Sequence, residues 1–341
     1  MKYNTDLVKN HWSKVDCSAS EKNFYCFPAI RTRSCQLIFN ETDATDRAWC
    51  EYWTVEKYLK SSMPFEKCLS ICCGFGEVER TLSKLQVAKK IIGTDIAPGA
   101  IEEARRRAMA DNLENIEYCV ANLNQEQLPS DEYDLIWANG ALHHIADLDG
   151  VISKLHCAMQ DGGYLVSNEY VGPKYQQIGT RQQELVNAVK HLLPPELRGK
   201  ALCGKPYGNS IMAKAMRYAR RQLERKRSGQ IYEILWERPP VEQFMATDPS
   251  ECVNSDLIIP TLKRYFDEVE VKYFNGSILF YALDSAFYNN FDARNTNHRA
   301  ILQILFDIED TLIATGDISQ DNAHIICRKT TANKSTNRNK R

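Results

Sequence analysis

Short apolar runs alternate with amphipathic segments through the middle of this chain. The five runs lie at residues 68–72, 89–96, 116–123, 132–139 and 162–170. Each run has the length and the apolar character of a buried strand, and helical or turn patterns separate it from the next. Strands that alternate with helices predict a parallel sheet covered by helices on both faces. We therefore predict an α/β core over residues 63–170.

The alternation does not extend toward the N-terminus or directly beyond the core. Residues 1–62 predict a helical cap, with one helix beginning near Asp6 and ending at Trp12 and a second opening near Asp43. Residues 171–262 predict a helical insertion that serves as a substrate lid, with a helix near 177–193 and a basic helix near 211–227.

The C-terminal part completes the core in this prediction. Residues 263–328 contain two β-type runs, 269–274 and 277–283, and a helical pattern at 298–315. The dipeptide Asn275-Gly276 between the two runs predicts a tight hairpin. Residues 329–341 are polar and basic, and we predict that they form a disordered tail.

Composition narrows the class of protein. The 341 residues include 43 basic and 44 acidic ones, so no overall charge attracts nucleic acid or a membrane surface. No apolar run is long enough to span a bilayer, and the first residues lack a signal-peptide pattern, so we expect a cytoplasmic protein. The 12 cysteines include no C-x-x-C pair, so we expect no metal site. Nothing in the composition indicates the oligomeric state.

A glycine turn follows the first strand of the core. Residues 72–76 read CCGFG, and a helical pattern begins at once. Such a turn lets the backbone and a helix N-terminus approach a ligand. Asp95 ends the second strand about 20 residues later, where a carboxylate can bind ribose hydroxyls. A dinucleotide fingerprint needs a third glycine where this chain has Glu79, which disfavours a hydride-transfer enzyme.

These motifs resemble those of the class I S-adenosylmethionine-dependent methyltransferases. Further similarity to a bacterial group without an assigned acceptor lies in His11-Trp12, in LHHI at 142–145, in EYVGP at 169–173 and in DPSE at 248–251. The resemblance implies a Rossmann-like sheet of seven strands, the last two forming an antiparallel hairpin, and S-adenosyl-L-methionine as cofactor. It implies the following cofactor-binding residues: Cys72, Gly74, Gly76, Asp95, Ile96, Asn122, Leu123 and Asn139.

Three positions depart from the pattern of that superfamily. Ser70 stands in place of the usual acid, Cys72 in place of a glycine, and Asn122 in place of a second acid. The loss of the acid at position 70 removes one usual contact to the cofactor, so we expect weaker binding than is typical.

Candidate catalytic and substrate-binding residues follow the strands and the DPSE segment. Glu169, His143 and His144 stand near strand ends, where a base can remove a proton from the acceptor. Their structural alternatives are a backbone or helix-capping role for either histidine, and an ion pair of Glu169 with Arg181 or Arg198. We expect Asp248 to cap a helix that begins at Pro249. The expected substrate-binding residues are Tyr170, Glu251 and Ser255, the last two on one face of that helix.

The resemblance and the available bases together predict methyl transfer to a small-molecule or carbohydrate acceptor, at oxygen. Two alternatives remain open at this point. The basic helix, with Arg220 and Arg221, suits an RNA methyltransferase. The substitutions at Ser70, Cys72 and Asn122 suit a protein that binds the cofactor without turnover.

Overall fold

The computed structural model describes residues 4–14, 24–42, 49–194, 197, 236–283 and 290–330. A seven-stranded sheet with the order β3-β2-β1-β4-β5-β7-β6 forms its centre. The strands are β1 (Phe65–Ile71), β2 (Ala88–Asp95), β3 (Ile116–Val120), β4 (Tyr133–Asn139), β5 (Met159–Tyr170), β6 (Glu268–Tyr273) and β7 (Asn322–Arg328). The first five strands are parallel, and β7 pairs antiparallel with both β5 and β6.

Helices cover the sheet. They are α1 (Thr5–Trp12), α2 (Pro28–Phe39), α3 (Trp49–Thr54), α4 (Glu77–Lys84), α5 (Pro98–Ala110), α6 (Leu148–Ala158), α7 (Thr180–Leu192), α8 (Val241–Thr247), α9 (Ile258–Tyr265), α10 (Leu279–Ala282) and α11 (Thr296–Ala314). Among the described residues, none of these helices combines the length and the apolarity that crossing a membrane would require.

The predicted α/β core is confirmed, and its central strands are buried on both faces. Leu69 of β1, Ile136 of β4 and Leu165 of β5 are almost completely buried in one cluster. Leu135 of β4 belongs to a second cluster, which also contains Leu82 of α4. Burial on both sides of a parallel sheet explains why these strands read as continuous apolar runs rather than as alternating ones.

The seven-stranded sheet with an antiparallel last pair is confirmed, but the hairpin predicted at Asn275-Gly276 is wrong. The chain enters α10 after this dipeptide, and the last strand is Asn322–Arg328. The side chain of Asn275 is buried and donates to Ser34 Oγ at 2.6 Å and to Ile30 O at 3.3 Å. Asn275 therefore anchors the chain on α2 instead of closing a two-residue turn.

A buried carboxylate explains why residues 277–283 are not a strand. Glu309 of α11 accepts hydrogen bonds from the backbone N–H groups of Ile278 at 2.8 Å and Leu279 at 3.0 Å. These are N–H groups at the start of α10 that no helical carbonyl can satisfy. The tertiary contact thus favours a short helix over the strand that the local sequence predicts.

Several flanking predictions are confirmed, and others fall outside the described residues. The helices expected at 6–12, 177–193 and 298–315 correspond to α1, α7 and α11. The sequence did not predict α2, which follows Phe27 with Pro28 in its first turn. The basic helix expected at 211–227, Arg198 and most of the expected tail lie outside the described residues. The division of the chain into cap, core and insertion stays a prediction.

Candidate functional site

A cleft opens at the carboxyl ends of the parallel strands. It encloses about 680 Å³ of space, including its mouth to solvent. Its walls come from the ends of β1, β2, β3 and β4, from α1 and from the segment that follows α8. The lining residues are Val8, Trp12, Cys72, Gly74, Asp95, Ile96, Ala121, Asn122, Leu123, Asn124, Gly140, His144, Ile145 and Ser250.

The two glycines of the turn after β1 have different roles. Gly74 lies at φ +51°, and a Cβ built there would meet no atom within 4 Å, so the glycine leaves open space at the cleft. Gly76 lies at φ +74°, and its Cβ would be 2.3 Å from the hydroxyl oxygen of Tyr118. Gly76 is required for packing against Tyr118, whereas Gly74 faces the ligand space.

The carboxylate of Asp95 ties the first two strand ends together. Its Oδ2 accepts from Gly74 N at 3.0 Å, and its Oδ1 accepts from Ala97 N at 2.8 Å. Burial raises the pKa of Asp95, although these N–H donors favour the ionised form. Each oxygen keeps a further lone pair, so the carboxylate can still accept from ligand hydroxyl groups.

The loop after β3 forms the other end of the cleft. Asn122 Oδ1 accepts from Asn124 N at 3.1 Å, which closes a turn of the kind that asparagine favours. Leu123 is largely buried, and its carbonyl oxygen accepts from the ammonium of Lys154. Among the predicted cofactor residues, Cys72, Gly74, Asp95, Ile96, Asn122 and Leu123 line the cleft. Gly76 and Asn139 do not.

Glu169 holds the chain segment that carries the two histidines. Its Oε1 accepts from Ala141 N at 2.8 Å and from Leu142 N at 2.7 Å. Its Oε2 lies 2.6 Å from His143 Nδ1. Burial alone would lower the pKa of His143, but the facing carboxylate outweighs burial and raises it. The ion pair considered for Glu169 is not formed with Arg181, which binds Asp317.

A second network reaches the cleft through His144. Its Nδ1 lies 3.0 Å from Ser250 Oγ, and Ser250 Oγ donates to Asp248 Oδ1 at 2.5 Å. Trp12 Nε1 donates to the other oxygen of Asp248 at 3.0 Å. Burial and the neighbouring His143 lower the pKa of His144. The network joins α1, the loop after β4 and the DPSE segment around one opening.

The prediction of a helix that begins at Pro249 is wrong. Residues 249–254 form turns, and Cys252 has a left-handed backbone with φ +51°. Asp248 uses its side chain to bind Ser250 N at 3.0 Å and Trp12, so it closes a turn instead of capping a helix. A helical turn begins only at Ser255.

The turn separates the predicted substrate-binding residues. Glu251 Oε2 lies 3.9 Å from His144 Nε2, beside the cleft. Ser255 is buried, and its hydroxyl donates to Cys252 O at 3.4 Å. Tyr170 Oη donates to Pro173 O at 3.2 Å and lies 3.1 Å from Tyr281 Oη. Ser255 and Tyr170 are not among the cleft-lining residues.

Part of the chain is similar to a known protein family. Residues 68–163 match the family described as "Methyltransferase domain". This segment, from β1 into β5, is therefore similar to a methyltransferase domain. S-adenosyl-L-methionine is the cofactor of the methyltransferases of this type, and most of the cleft-lining residues belong to the matched segment.

Curated relatives of the methyltransferase domain are distant. A malonyl-[acyl-carrier protein] O-methyltransferase of Serratia marcescens is 25% identical over 134 residues, 39% of this chain and 49% of that protein. A protein of the same name from Acetivibrio thermocellus is 30% identical over 102 residues, covering 30% and 35%. The aklanonic acid methyltransferase DauC of a Streptomyces species is 29% identical over 131 residues, covering 37% and 60%. The chain thus spans about half the length of the first of these relatives.

Sequence reasoning missed part of the cleft. Trp12 and Ser250 belong to segments that resemble a bacterial group, but the resemblance gives them no role in the site, and the sequence predicts no role for Val8 or Asn124 either. Trp12 and Ser250 reach the cleft through tertiary contacts between segments far apart in the chain. The signal that was present is the co-occurrence of His11-Trp12 and DPSE, two polar segments outside the strand pattern.

Proposed function

We propose that this protein transfers a methyl group from S-adenosyl-L-methionine to a small-molecule or carbohydrate acceptor, at oxygen. The observation that carries the proposal is that Asp95, at the end of β2, and His144, after β4, face the same cleft. One supplies the carboxylate expected for a ribose, and the other supplies a base. The names of the curated relatives, which include O-methyltransferases, support an oxygen acceptor.

The cleft suits the parts of the cofactor. Asp95 would bind the ribose hydroxyls, because it lines the cleft and its carboxylate has lone pairs beyond those that accept from the N–H groups of Gly74 and Ala97. The open space at Gly74 would accept the methionine part. Asn122 and Leu123 would contact the adenine. When bound, the cofactor supplies an activated methyl group, and the protein has to align the acceptor with it and exclude water.

The network around His144 prepares it to act as a base. Because Ser250 donates its own proton to Asp248, its oxygen accepts from His144 Nδ1–H. This arrangement leaves His144 Nε2 unprotonated and able to take the proton of an acceptor hydroxyl. The ring centroids of His143 and His144 are 4.2 Å apart, and the bonds of Glu169 to this loop hold both histidines in position. A direct catalytic role for Glu169 or His143 stays a prediction.

Calorimetric titration with S-adenosyl-L-methionine tests the cofactor site. We expect micromolar binding by the wild type and at least about tenfold weaker binding by Asp95→Asn, a loss of about 1.4 kcal/mol. The matched control is Glu102→Gln, an exposed acid on α5. A folded wild type that does not bind the cofactor would overturn the proposal.

An acceptor screen then tests turnover. Release of S-adenosylhomocysteine should appear with at least one member of a panel of sugars, phenols and carboxylic acids. His144→Gln should retain cofactor binding and lose turnover by about 100-fold or more, the usual contribution of a positioned base. Product with RNA but with no small molecule would favour the RNA methyltransferase alternative. Cofactor binding without product from any acceptor would favour the binding protein without turnover.

A further inference from the structure

Three potential metal ligands converge on one side of His144. They are His143, from the loop after β4, and Glu251 and Cys252, from the turn after Asp248. One ligand atom from each residue lies within 4.8 Å of the other two. An imidazole, a carboxylate and a thiol at this spacing need only small side-chain movements to reach a common ion, since zinc binds such atoms at about 2.0–2.3 Å.

The orientation of His143 is that of a metal ligand. Its Nδ1 faces Glu169 Oε2 at 2.6 Å, and Glu169 is itself fixed by the N–H groups of Ala141 and Leu142. In the neutral imidazole, this carboxylate favours the Nδ1–H tautomer and leaves Nε2 as the nitrogen with a free lone pair. Metal-binding histidines almost always donate their other N–H to a carboxylate or a carbonyl in this way.

The position of Cys252 is imposed by the surrounding backbone. The residue is 1% exposed and lies at φ +51°, which is unfavourable for a side chain with a Cβ. Val253 N donates to His143 O at 3.0 Å, and Tyr175 N donates to Cys252 O at 2.9 Å. These bonds hold the turn against the histidine loop. The thiol points at Glu251, with Sγ 3.1 Å from Oε1.

We propose that His143, Glu251 and Cys252 bind a divalent transition-metal ion. The mixture of nitrogen, oxygen and sulfur donors favours Zn²⁺ over Mg²⁺ or Ca²⁺, which prefer oxygen ligands alone. On binding, the Cys252 sulfur bonds to the ion and its proton leaves to solvent. Three protein ligands leave a fourth tetrahedral position open, as in catalytic zinc sites.

Glu251, one of the three proposed ligands, lies beside the proposed base. His144 Nε2 is 3.9 Å from Glu251 Oε2, so a heteroatom bound to the ion would lie beside the proposed base. We assign this fourth position to the oxygen or sulfur of the methyl acceptor, and this assignment rests on the proposed function. The three-ligand site itself does not depend on it. The absence of a C-x-x-C pair predicts no metal site, but that spacing cannot reveal ligands that come from two separate segments of the chain.

Metal binding can be measured without any enzyme assay. Chelator-treated full-length protein is titrated with zinc chloride against a chromophoric chelator, and the bound metal is counted by elemental analysis. We expect one zinc ion per chain in the wild type and at least about tenfold weaker binding in Cys252→Ser and in Glu251→Gln. The matched control is Cys157→Ser, since Cys157 is exposed and belongs neither to the three proposed ligands nor to the cleft-lining residues. Thermal unfolding verifies that each variant is folded.

Cobalt substitution identifies the sulfur ligand directly. Co²⁺-loaded wild type should show a thiolate charge-transfer band that Cys252→Ser lacks and Cys157→Ser retains. Zinc affinity that is unchanged by both Cys252→Ser and Glu251→Gln, or a cobalt band that survives Cys252→Ser, would overturn the proposal. The two proposals fail separately: Asp95→Asn should lose S-adenosyl-L-methionine and keep zinc, while Cys252→Ser should lose zinc and keep S-adenosyl-L-methionine.

Discussion

The hydroxyl of Ser70, on β1, donates a hydrogen bond to the carboxylate of Glu79, on α4. Both side chains are buried. Ser70 occupies the position where class I methyltransferases usually have an acid, and Glu79 reaches back from the third residue of its helix to the same place. The chain therefore keeps a carboxylate at the end of β1, supplied from a different element. Neither side chain lines the cleft, so the expectation that the serine weakens cofactor binding stays a prediction.

Replacing Glu79 by glutamine should flatten the pH dependence of stability. Burial raises the pKa of Glu79 from 4.5 to about 7. The pKa of Glu79 is higher in the folded protein than in the unfolded chain. The contribution of its protonated carboxyl to stability is therefore complete below pH 4.5 and is lost as the pH rises through about 7. Between about pH 5 and about pH 8 this carboxyl should lower the free energy of unfolding by about 2–3 kcal/mol. Urea unfolding of wild type and Glu79→Gln at both pH values measures the difference.

The control for this prediction is Glu77→Gln, two residues earlier in the same helix and exposed. It should keep the slope of the wild type. If Glu79→Gln kept that slope as well, the carboxyl of Glu79 would not titrate in this range, and the raised pKa would be contradicted.

The sequence predicted the cofactor half of the site better than the acceptor half. Asp95 and Gly74 follow strands whose apolar runs are unambiguous, and carboxyl ends of parallel strands meet at one edge, so their position follows from local pattern and topology. Trp12 and Ser250 reach the cleft only through a carboxylate, Asp248, that joins distant segments. No local periodicity encodes such a contact.

The predicted hairpin failed for the same reason, a tertiary contact that the local sequence does not encode. Asn275-Gly276 has the local chemistry of a turn, and Gly276 does adopt a positive φ of +102°. The chain bends at Asn275, but Ser34 and Glu309 supply buried hydrogen-bond partners that direct it into a helix instead of a hairpin. Tertiary partners of this kind override the preference of a short segment for the strand.

The two glycines after β1 should respond differently to alanine. Gly76→Ala should destabilise the protein by about 2–4 kcal/mol, because the backbone is left-handed and the new Cβ would overlap Tyr118. Gly74→Ala should cost only about 1 kcal/mol, since its Cβ meets open space. Its main effect should be weaker binding of S-adenosyl-L-methionine. Chemical denaturation and calorimetry on both variants separate the two effects, and equal destabilisation would contradict the assigned roles.

His324 should make the fold sensitive to acid. It lies in β7, fully buried, and burial lowers its pKa from 6.5 to about 3. The neutral ring faces Thr54 Oγ1 at 3.1 Å through Nε2. Below pH 6.5 the ring takes up a proton in the unfolded chain but stays neutral in the folded one. The contribution of His324 to the free energy of unfolding is therefore complete above pH 6.5 and is lost as the pH falls toward 3. The loss between about pH 7 and about pH 5 should be about 2 kcal/mol.

The variant His324→Gln isolates this contribution. It should be less stable than the wild type at neutral pH, since it disturbs the contact with Thr54, yet lose less stability on acidification. His298→Gln, at the more exposed start of α11, is the control and should keep the acid sensitivity of the wild type. Parallel acid sensitivity in His324→Gln and wild type would show that another group is responsible.

Trp12→Phe should weaken cofactor binding by loosening α1 over the cleft. The indole N–H donates to Asp248 Oδ2 at 3.0 Å, and the ring meets His144 edge-on, with the centroids 5.2 Å apart. Phenylalanine keeps an aromatic ring but leaves one oxygen of a buried carboxylate without this donor, which costs about 1–3 kcal/mol. Because α1 lines the cleft, part of that cost should appear as about fivefold weaker binding of S-adenosyl-L-methionine. Tyr273→Phe, on the exposed edge strand β6, is the control, and an affinity unchanged in Trp12→Phe would mean that α1 does not close over the cofactor.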